Sequence, residues 1–412
     1  MKFKLIAAIK NIFSVFESPW AAFGISFFVY FLLSFFHGRP WDVSSSPYFN
    51  YLADAFLHGQ LNFRLLPPGT YDLVIYKGQL FSYWPPFPAM LLIPLVALFG
   101  VNFSDILFTI FFGSFNIFLF SALLHEAQKR NLIQLDKFQR SLLVFFFAYG
   151  TVHLTIAPLG RVWFTALIIG VTCSLFAYWA AIKYDGALGF FLAGLGISAA
   201  FATRLHLLIV GLWPAWYLIS THWGKPKKQL MKYVFIGLLP LAITGVLLLA
   251  YNYARFGNFS EVGLTYHNMG SIFRKDFSKY GAFSLHYAPT NLFYQYFAYP
   301  FLAKSSEGFF MGGSLFLLSP VFFSIFWGLW RAPKKPGPWI LALTIVLTNI
   351  PIALLMGTGY AQFGPRYSLD FTVPLLLLTA KGVQHWPKRG LLLLVFVSVI
   401  QYLIGFVALA AI

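Results

Sequence analysis

Four segments of the chain place polar side chains that could do chemistry at the ends of apolar runs. They are Asp42 in "RPWDVSSSPYFN", Arg161 in "PLGRVWF", Arg204 and His206 in "ATRLHLL", and Arg366, Tyr367 and Asp370 in "YAQFGPRYSLDF". Charge this close to hydrocarbon is costly unless it is paired or lines a wet cavity, so such residues indicate a functional site. Guanidinium groups bind phosphate through paired hydrogen bonds, and a carboxylate can deprotonate a hydroxyl. The combination is typical of a site that holds a phosphorylated ligand at a membrane surface.

Each of these residues also has a purely structural interpretation. Arg161 or Arg204 alone could be a side chain that extends to the membrane surface. Arg366 and Asp370 could be a pair in the first turn of a helix, where an acid also suits the helix dipole. His153, inside an apolar run, is more typical of a hydrogen-bonded core histidine. The convergence of several cationic groups with an acid favours the functional interpretation.

The composition predicts an integral membrane protein. The chain has 412 residues, of which 59% are hydrophobic and only 10% are charged, and its mean hydropathy is +0.73. Soluble domains do not combine so much apolar surface with so little charge. The formal net charge of +17 is explained by basic residues in cytoplasmic loops rather than by nucleic-acid binding. The single cysteine, Cys173, lies in an apolar run and is predicted to be a buried thiol.

The apolar runs predict an all-α polytopic fold with about eleven transmembrane helices. The predicted spans are residues 19–36, 105–124, 141–158, 164–182, 188–203, 206–222, 233–252, 314–331, 338–356, 371–386 and 390–411. The lysines of residues 1–10 and the later basic clusters place the N-terminus in the cytoplasm, with two long loops, 37–104 and 253–313, outside. The proline-rich segment 84–100 is predicted to be a juxtamembrane or re-entrant helix of the first loop.

Several classes of function have no support in the sequence. There is no Walker loop, no GxGxxG after a strand and no GxSxG elbow, which argues against nucleotide chemistry and serine hydrolysis. His37, His58, His267 and His286 lack the spacing of metal ligands, so no zinc site is predicted.

A set of sequence strings spread over the chain is shared with one superfamily of membrane enzymes. The first long loop reads "DVSSSPYFNYLADAFLHGQLNF" and then "DLVIYKGQLFSYWPPFPAMLLIPLVALFG". Later strings are "GRVWF", "ATRLH", "YNYARFGNF" (251–259) and "QFGPRYSLDF". Together they resemble the GT-C glycosyltransferases, the polyprenyl- or dolichyl-phosphate-sugar-dependent enzymes that include protein mannosyltransferases and aminoarabinose transferases. The last two strings are similar to those of a bacterial branch of the superfamily.

The resemblance implies an organisation and an activity. It implies a GT-C-like module at 1–252 that contains the first outer loop, a second large loop at 253–313, and a variable C-terminal module at 314–412. The implied activity is that of a hexosyl- or pentosyltransferase, which moves a sugar from a polyprenyl-phosphate carrier to a glycan, lipid or protein acceptor. The implied location is a bacterial inner or plasma membrane with the active site on the extracytoplasmic side, where membrane lipids, and no nucleic acid, are partners.

The resemblance also assigns roles to residues. Asp42 would be the catalytic base, and Arg366, Arg204 and Arg161 would bind the donor phosphate. Further possible substrate contacts are Tyr367, His206, Asp72, Lys77 and Trp84. No cofactor or metal is expected, because only one acid is near, although some relatives require a divalent metal.

The sequence departs from the family pattern at three points. Ser44 and Ser45 stand where the family usually has its first-loop acid, and Asp42 lies a few residues earlier. Trp84 precedes the double proline, where relatives often have a basic residue, and "GRVW" lacks a second acid. Two alternatives therefore stay open: a transporter or flippase of lipid-linked glycans, and an inactive homologue that only binds a lipid-linked sugar. A transporter should show inverted repeats or broken helices at the midplane, and no convincing internal repeat is found.

Overall fold

The computed structural model describes residues 13–359 and 361–410, and these form a mostly helical protein. The predicted cytoplasmic lysines of residues 1–10 lie outside the described residues. The α-helices are, in chain order, Pro19–Ser34, Tyr48–Leu57, Phe87–Phe99, Asp105–Lys129, Lys137–Tyr149, His153–Ile156, Val162–Lys183, Gly186–Phe201, Leu212–Thr221, Lys227–Phe256, Ser271–Tyr280, Ala288–Tyr296, Ser306–Phe309, Leu315–Leu318, Ser324–Trp330, Pro336–Leu354, Thr372–Val383 and Lys388–Leu409. Short 3-10 helices lie at Val15–Glu17, Leu205–Gly211, Leu264–Tyr266, Leu285–Tyr287, Pro300–Leu302, Pro320–Phe323 and Arg366–Phe371. Val74–Tyr76 pairs with Gln79–Phe81 as a small antiparallel hairpin, and Met311–Gly312 pairs with Gln362–Phe363 in parallel.

Every predicted span contains helix, so the predicted class, an all-helical polytopic membrane protein, is confirmed. Within the part of the chain that the structure describes, five helices are long and apolar enough to cross a membrane: Asp105–Lys129, Val162–Lys183, Lys227–Phe256, Pro336–Leu354 and Lys388–Leu409. The other apolar helices are shorter, such as Pro19–Ser34 and Gly186–Phe201, or are broken into pieces. The division into modules at 252 and 313 stays a prediction.

The predicted span 141–158 is interrupted. Residues 141–158 form Lys137–Tyr149 and then, after Gly150, the short helix His153–Ile156. The side chain of His153 is buried at this break, 3.0 Å from the Tyr30 hydroxyl through Nδ1, as expected of a core histidine. The break is tolerated because neighbouring helices supply polar partners that lipid cannot.

The proline-rich segment 84–100 forms the helix Phe87–Phe99, which packs against the helix Tyr48–Leu57 of the same loop. Its 13 residues correspond to about 20 Å of helix. The hydrocarbon core of a bilayer is roughly 30 Å thick. The helix is therefore too short to span a bilayer alone, and its juxtamembrane location stays a prediction.

The two long loops are joined by backbone hydrogen bonds. The Asp72 N–H donates to the Asn268 carbonyl at 2.9 Å, and the Asn268 N–H donates to the Leu73 carbonyl at 2.7 Å. The side chain of Asn268 also donates to the Thr70 carbonyl at 3.0 Å. These bonds fix a short stretch of the second loop beside the first one.

Small residues allow the helices Gly186–Phe201 and Lys227–Phe256 to approach closely. A methyl group on Gly194 would lie 2.0 Å from the Gly237 carbonyl oxygen. One turn further along, the Ser198 hydroxyl donates to the Pro240 carbonyl at 3.1 Å. Close backbone approach at small residues, with hydroxyl bonds across the seam, is a common way for membrane helices to associate.

We expect Gly194→Ala to destabilise the protein by about 1–3 kcal/mol, because the added methyl group must push the two backbones apart. The measurement is the thermal melting temperature of the purified protein in detergent. The matched control is Gly245→Ala on the helix Lys227–Phe256, where an added methyl group meets nothing within 4 Å. This control should melt at or above the wild-type temperature. Equal melting of the two variants would contradict the close helix contact.

Candidate active site

A cavity of about 530 Å³ lies between the two long loops and the ends of several helices. Its polar wall includes Asp72, Tyr83, Arg161, Trp163, Arg204, His206, Tyr251, Asn252, Arg255, His267, Arg366 and Tyr367. Its apolar wall includes Leu248, Met269, Phe273, Phe277, Phe283, Ile352, Leu355 and Met356. The cavity therefore joins a strongly basic region to a region that suits hydrocarbon.

One of the arginines is neutralised by a buried carboxylate. Asp370, whose side chain is 1% exposed, lies 2.9 Å through Oδ1 from Arg204 Nε, and its Oδ2 accepts from Arg204 Nη2 at 3.0 Å. His206 Nε2 donates to the same Oδ2 at 2.8 Å. Burial alone would raise the pKa of Asp370, but the charges and hydrogen bonds of Arg204 and His206 outweigh it and hold the pKa below its usual range. Asp370 is therefore a charged anchor for Arg204 rather than a group that exchanges protons.

Arg366 is a buried cation without a counter-charge. It is 8% exposed, and among residues 13–359 and 361–410 no carboxylate lies within ion-pair distance of it. Nη2 donates to the Tyr367 hydroxyl at 3.4 Å, and Nε has no hydrogen-bond partner. The guanidinium carbon lies 5.1 Å from the Tyr367 ring centre and 5.7 Å from that of Phe164. Aromatic faces stabilise a cation only partly, so this group remains available to an anion.

Arg161 is set in place by its backbone. Its φ of 76° is unusual for a residue with a side chain, and its N–H donates to the Ser44 hydroxyl at 2.9 Å and to Asp105 Oδ2 at 3.0 Å. The same carboxylate accepts from the Ser44 N–H at 2.7 Å and from the Ser44 hydroxyl at 2.5 Å. Burial lowers the pKa of Arg161, the charge of Asp105 opposes this, and the charge of Arg366 adds to it. Arg161 and Arg366 both line the cavity, and their like charges repel each other.

Asp72 is the acid that lines the cavity. It too has a left-handed backbone, with φ of 61°. Trp163 Nε1 donates to Oδ2 at 2.9 Å, and His267 Nε2 lies 3.4 Å from Oδ1. Asp72 remains partly exposed, so its free lone pairs can reach a ligand. A strained backbone at an acid in a cavity is typical of a functional position.

Burial keeps His267, the neighbour of Asp72, uncharged. Burial lowers the pKa of His267, against the opposing charge and backbone contact of Asp72. The Tyr83 ring stacks on that of His267 with centres 5.0 Å apart and an angle of 29°. Burial also raises the pKa of Tyr83 to about 12, although the charge of Arg204 opposes the rise. At neutral pH His267 can accept a proton, while Tyr83 keeps its own.

The predicted site residues divide into those that the cavity brings together and those that it does not. Asp72, Trp84, Arg161, Arg204, His206, Arg366 and Tyr367 line it. Asp42, predicted as the base, lies in an exposed turn outside the cavity lining, where its N–H donates to the Arg39 carbonyl at 3.1 Å. Lys77 lies in the exposed turn of the hairpin with its Nζ 5.2 Å from the Tyr76 ring centre, also outside.

Two basic residues of the cavity, Arg255 and His267, were not among the predicted site residues. Arg255 belongs to the quoted string "YNYARFGNF", but its position at the end of a span resembles that of an ordinary surface cation. His267 lies in the second long loop without any motif around it. Its contact with Asp72 arises from the pairing of the two loops, which no local spacing shows.

The residues of the cavity are a poor donor set for a divalent cation. Such ions prefer several carboxylate or carbonyl oxygens. The lining contains one carboxylate and four arginines. Within the described residues no group of three His, Cys, Asp or Glu side chains is arranged to hold a metal.

Two solved structures share the fold. ArnT from Cupriavidus metallidurans bound to undecaprenyl phosphate superimposes with a TM-score of 0.53 and 13% identity, over 94% of this chain and 75% of that one. The apo oligosaccharyltransferase from Archaeoglobus fulgidus superimposes with a TM-score of 0.53 and 12% identity, over 95% of this chain and 56% of that one. No protein-family model and no curated protein matches the sequence. The chain therefore shares its fold with these two structures, in agreement with the fold that the sequence resemblance implied.

Proposed function

We propose that the protein is a glycosyltransferase that moves a sugar from a polyprenyl-phosphate carrier to an acceptor hydroxyl on the extracytoplasmic side of the membrane. The observation that carries the proposal is that, among the described residues, Arg161 and Arg366 form no ion pair, in a cavity that also contains one reachable carboxylate and an apolar wall. A phosphate monoester satisfies the two cations, and an isoprenoid chain fits the hydrocarbon-lined wall. The presence of undecaprenyl phosphate in the structure of ArnT agrees with such a ligand.

In the proposed reaction Asp72, rather than Asp42, is the base. Its carboxylate takes the proton of the acceptor hydroxyl as the hydroxyl oxygen attacks the anomeric carbon. The bond between that carbon and the phosphate oxygen breaks, and the phosphate leaves with the electron pair. Arg366 and Arg161 neutralise the charge that develops on the leaving group. His267, neutral and adjacent to Asp72, can then receive the proton.

Arg204 has a different place in the proposal. Because Asp370 already neutralises it, Arg204 contributes less to phosphate binding than Arg366 does. Its guanidinium carbon lies 5.5 Å from the Tyr367 ring centre, and the ring of Tyr367 also contacts Arg366. The role proposed for this group, Arg204 with His206 and Asp370, is therefore to position the part of the cavity wall that contains Arg366. The reaction uses no metal or other cofactor.

Asp72→Asn should reduce sugar transfer by about 10²- to 10⁴-fold, because the amide cannot accept the proton. Asp42→Asn is the matched control and should transfer at the wild-type rate. The measurement follows release of undecaprenyl phosphate by mass spectrometry from a panel of undecaprenyl-phosphate-linked hexoses and pentoses, with cell-envelope extract as acceptor. The opposite pattern would make Asp42 the base. A wild-type protein that consumes no donor but moves labelled lipid across liposomes would be a transporter.

Arg366→Gln should weaken binding of undecaprenyl phosphate by about tenfold or more, because a charge-assisted hydrogen bond is lost. The control is Lys77→Gln, which removes an exposed cation of the first long loop outside the cavity. This variant should bind the lipid as wild type does. Binding is measured by native mass spectrometry of the purified protein. Equal affinity of the two variants would disprove the donor site. Arg366-dependent binding without donor consumption would indicate the inactive homologue.

A further inference from the structure

The cavity contains a second buried cation whose charge the proposed donor site does not use. Arg255 ends the helix Lys227–Phe256 and is 7% exposed. Its Nη1 donates to the Ser82 carbonyl at 2.8 Å and its Nη2 to Asn252 Oδ1 at 2.9 Å. Its guanidinium carbon lies 3.9 Å from the Tyr251 ring centre. All of these partners are neutral, and Nε has no partner.

No carboxylate of the described residues forms an ion pair with Arg255, although the charge of Glu261 acts on it from a greater distance. In the described part of the chain no acid lies within ion-pair distance of it. Glu261, the next acid along the sequence, accepts instead from the Gly263 N–H and the Thr265 hydroxyl, both at 2.6 Å. A neutral amide could donate to the Ser82 carbonyl equally well. The charge is therefore costly to bury and is not explained by the contacts of the folded chain.

A second unpartnered polar group lies beside Arg255. The Tyr251 hydroxyl is buried, has no hydrogen-bond partner and belongs to a residue of the same cavity wall. A free guanidinium N–H and a hydroxyl donor on one helical turn can together bind an oxyanion. The ligand group is therefore a phosphoryl or a carboxylate group.

The position of Arg255 relates it to the acceptor. The carbonyl that Arg255 contacts belongs to Ser82, and the next residue, Tyr83, stacks on His267, which adjoins Asp72. The proposed base must contact the acceptor hydroxyl. Asp72 is related to Arg366 in a similar way, because Trp163 donates to Asp72 and the next residue, Phe164, contacts Arg366. Asp72 therefore lies between the two cations, and an anionic group held by Arg255 lies on the side of Tyr83 and His267.

We propose that Arg255 and Tyr251 form a second oxyanion subsite, which binds a phosphoryl or carboxylate group of the acceptor. This inference rests on the proposed function, since it assumes that Arg366 and Arg161 bind the donor phosphate. The acceptor is then an acidic hydroxyl compound rather than a neutral one. No bond is made or broken at this subsite.

The test counts anionic ligands on the full-length protein by native mass spectrometry. The protein is first saturated with undecaprenyl phosphate and then titrated with dodecyl phosphate or dodecanoate, with dodecyl maltoside as the neutral comparison. We expect wild type to carry one undecaprenyl phosphate and one dodecyl anion. Arg255→Gln should bind the dodecyl anion at least about tenfold more weakly and keep its affinity for undecaprenyl phosphate. The preferred dodecyl anion distinguishes a phosphoryl from a carboxylate acceptor.

Tyr251→Phe tests the subsite without disturbing the bond to Ser82. It removes only the unpartnered hydroxyl, keeps the ring against Arg255, and should weaken dodecyl anion binding by about threefold or more. Unchanged dodecyl anion binding in both variants would overturn the inference. So would weaker undecaprenyl phosphate binding in Arg255→Gln, or an Arg255-dependent preference for undecaprenyl diphosphate, because either result would place Arg255 in the donor site. The donor site is tested separately. If Arg366→Gln loses undecaprenyl phosphate binding and Arg255→Gln does not, the donor site is supported whatever the outcome for the second subsite.

Discussion

One buried carboxylate determines which arginines of the cavity can bind a ligand. Asp370 takes up the charge of Arg204 and is itself stabilised by His206, so this part of the wall is electrically balanced. Asp370 and Arg366 belong to the same 3-10 turn. Side chains three residues apart in such a turn point in one direction, so Tyr367 and Asp370 share a direction that Arg366 does not. The turn therefore directs Tyr367 and Asp370 towards Arg204 and leaves Arg366 unpaired. This six-residue turn thus carries both the carboxylate that balances Arg204 and the cation, Arg366, that has no ion pair among the described residues.

A second carboxylate, that of Asp105, accepts hydrogen bonds from backbone N–H groups rather than pairing with a cation. Asp105, at the start of a long helix, accepts hydrogen bonds from Ser44 and from the N–H of Arg161. It thereby joins three segments that are distant in sequence and holds Arg161 in a left-handed conformation that it would rarely adopt alone. Ser44, which stands where relatives often have an acid, thus donates to an acid from another helix. The carboxylate near this position is therefore that of Asp105, which anchors backbone.

The sequence predicted the parts of the site that depend on membrane depth. Arg161, Arg204 and Arg366 all follow or precede apolar runs at the same predicted membrane face, so their convergence follows from hydropathy and charge alone. Asp72 and Asp42 are both loop acids, and only the pairing of Asp72 with the backbone of the second loop brings one of them into the cavity. That pairing leaves no periodic pattern. For the same reason the broken spans and the unpaired state of Arg255 could not be predicted, since both are properties of tertiary packing.

The two halves of the cavity come from different kinds of structure, and this constrains how its ligands are selected. The proposed donor cations, Arg161 and Arg366, lie at helix ends whose backbone is held by the helix bundle. His267, Met269 and Phe273 come from the second long loop, whose short helices make fewer core contacts. Changes there would alter the wall beside Asp72 and leave Arg366 in place. If the proposed function holds, changes in this loop would alter acceptor binding without altering the proposed donor cations.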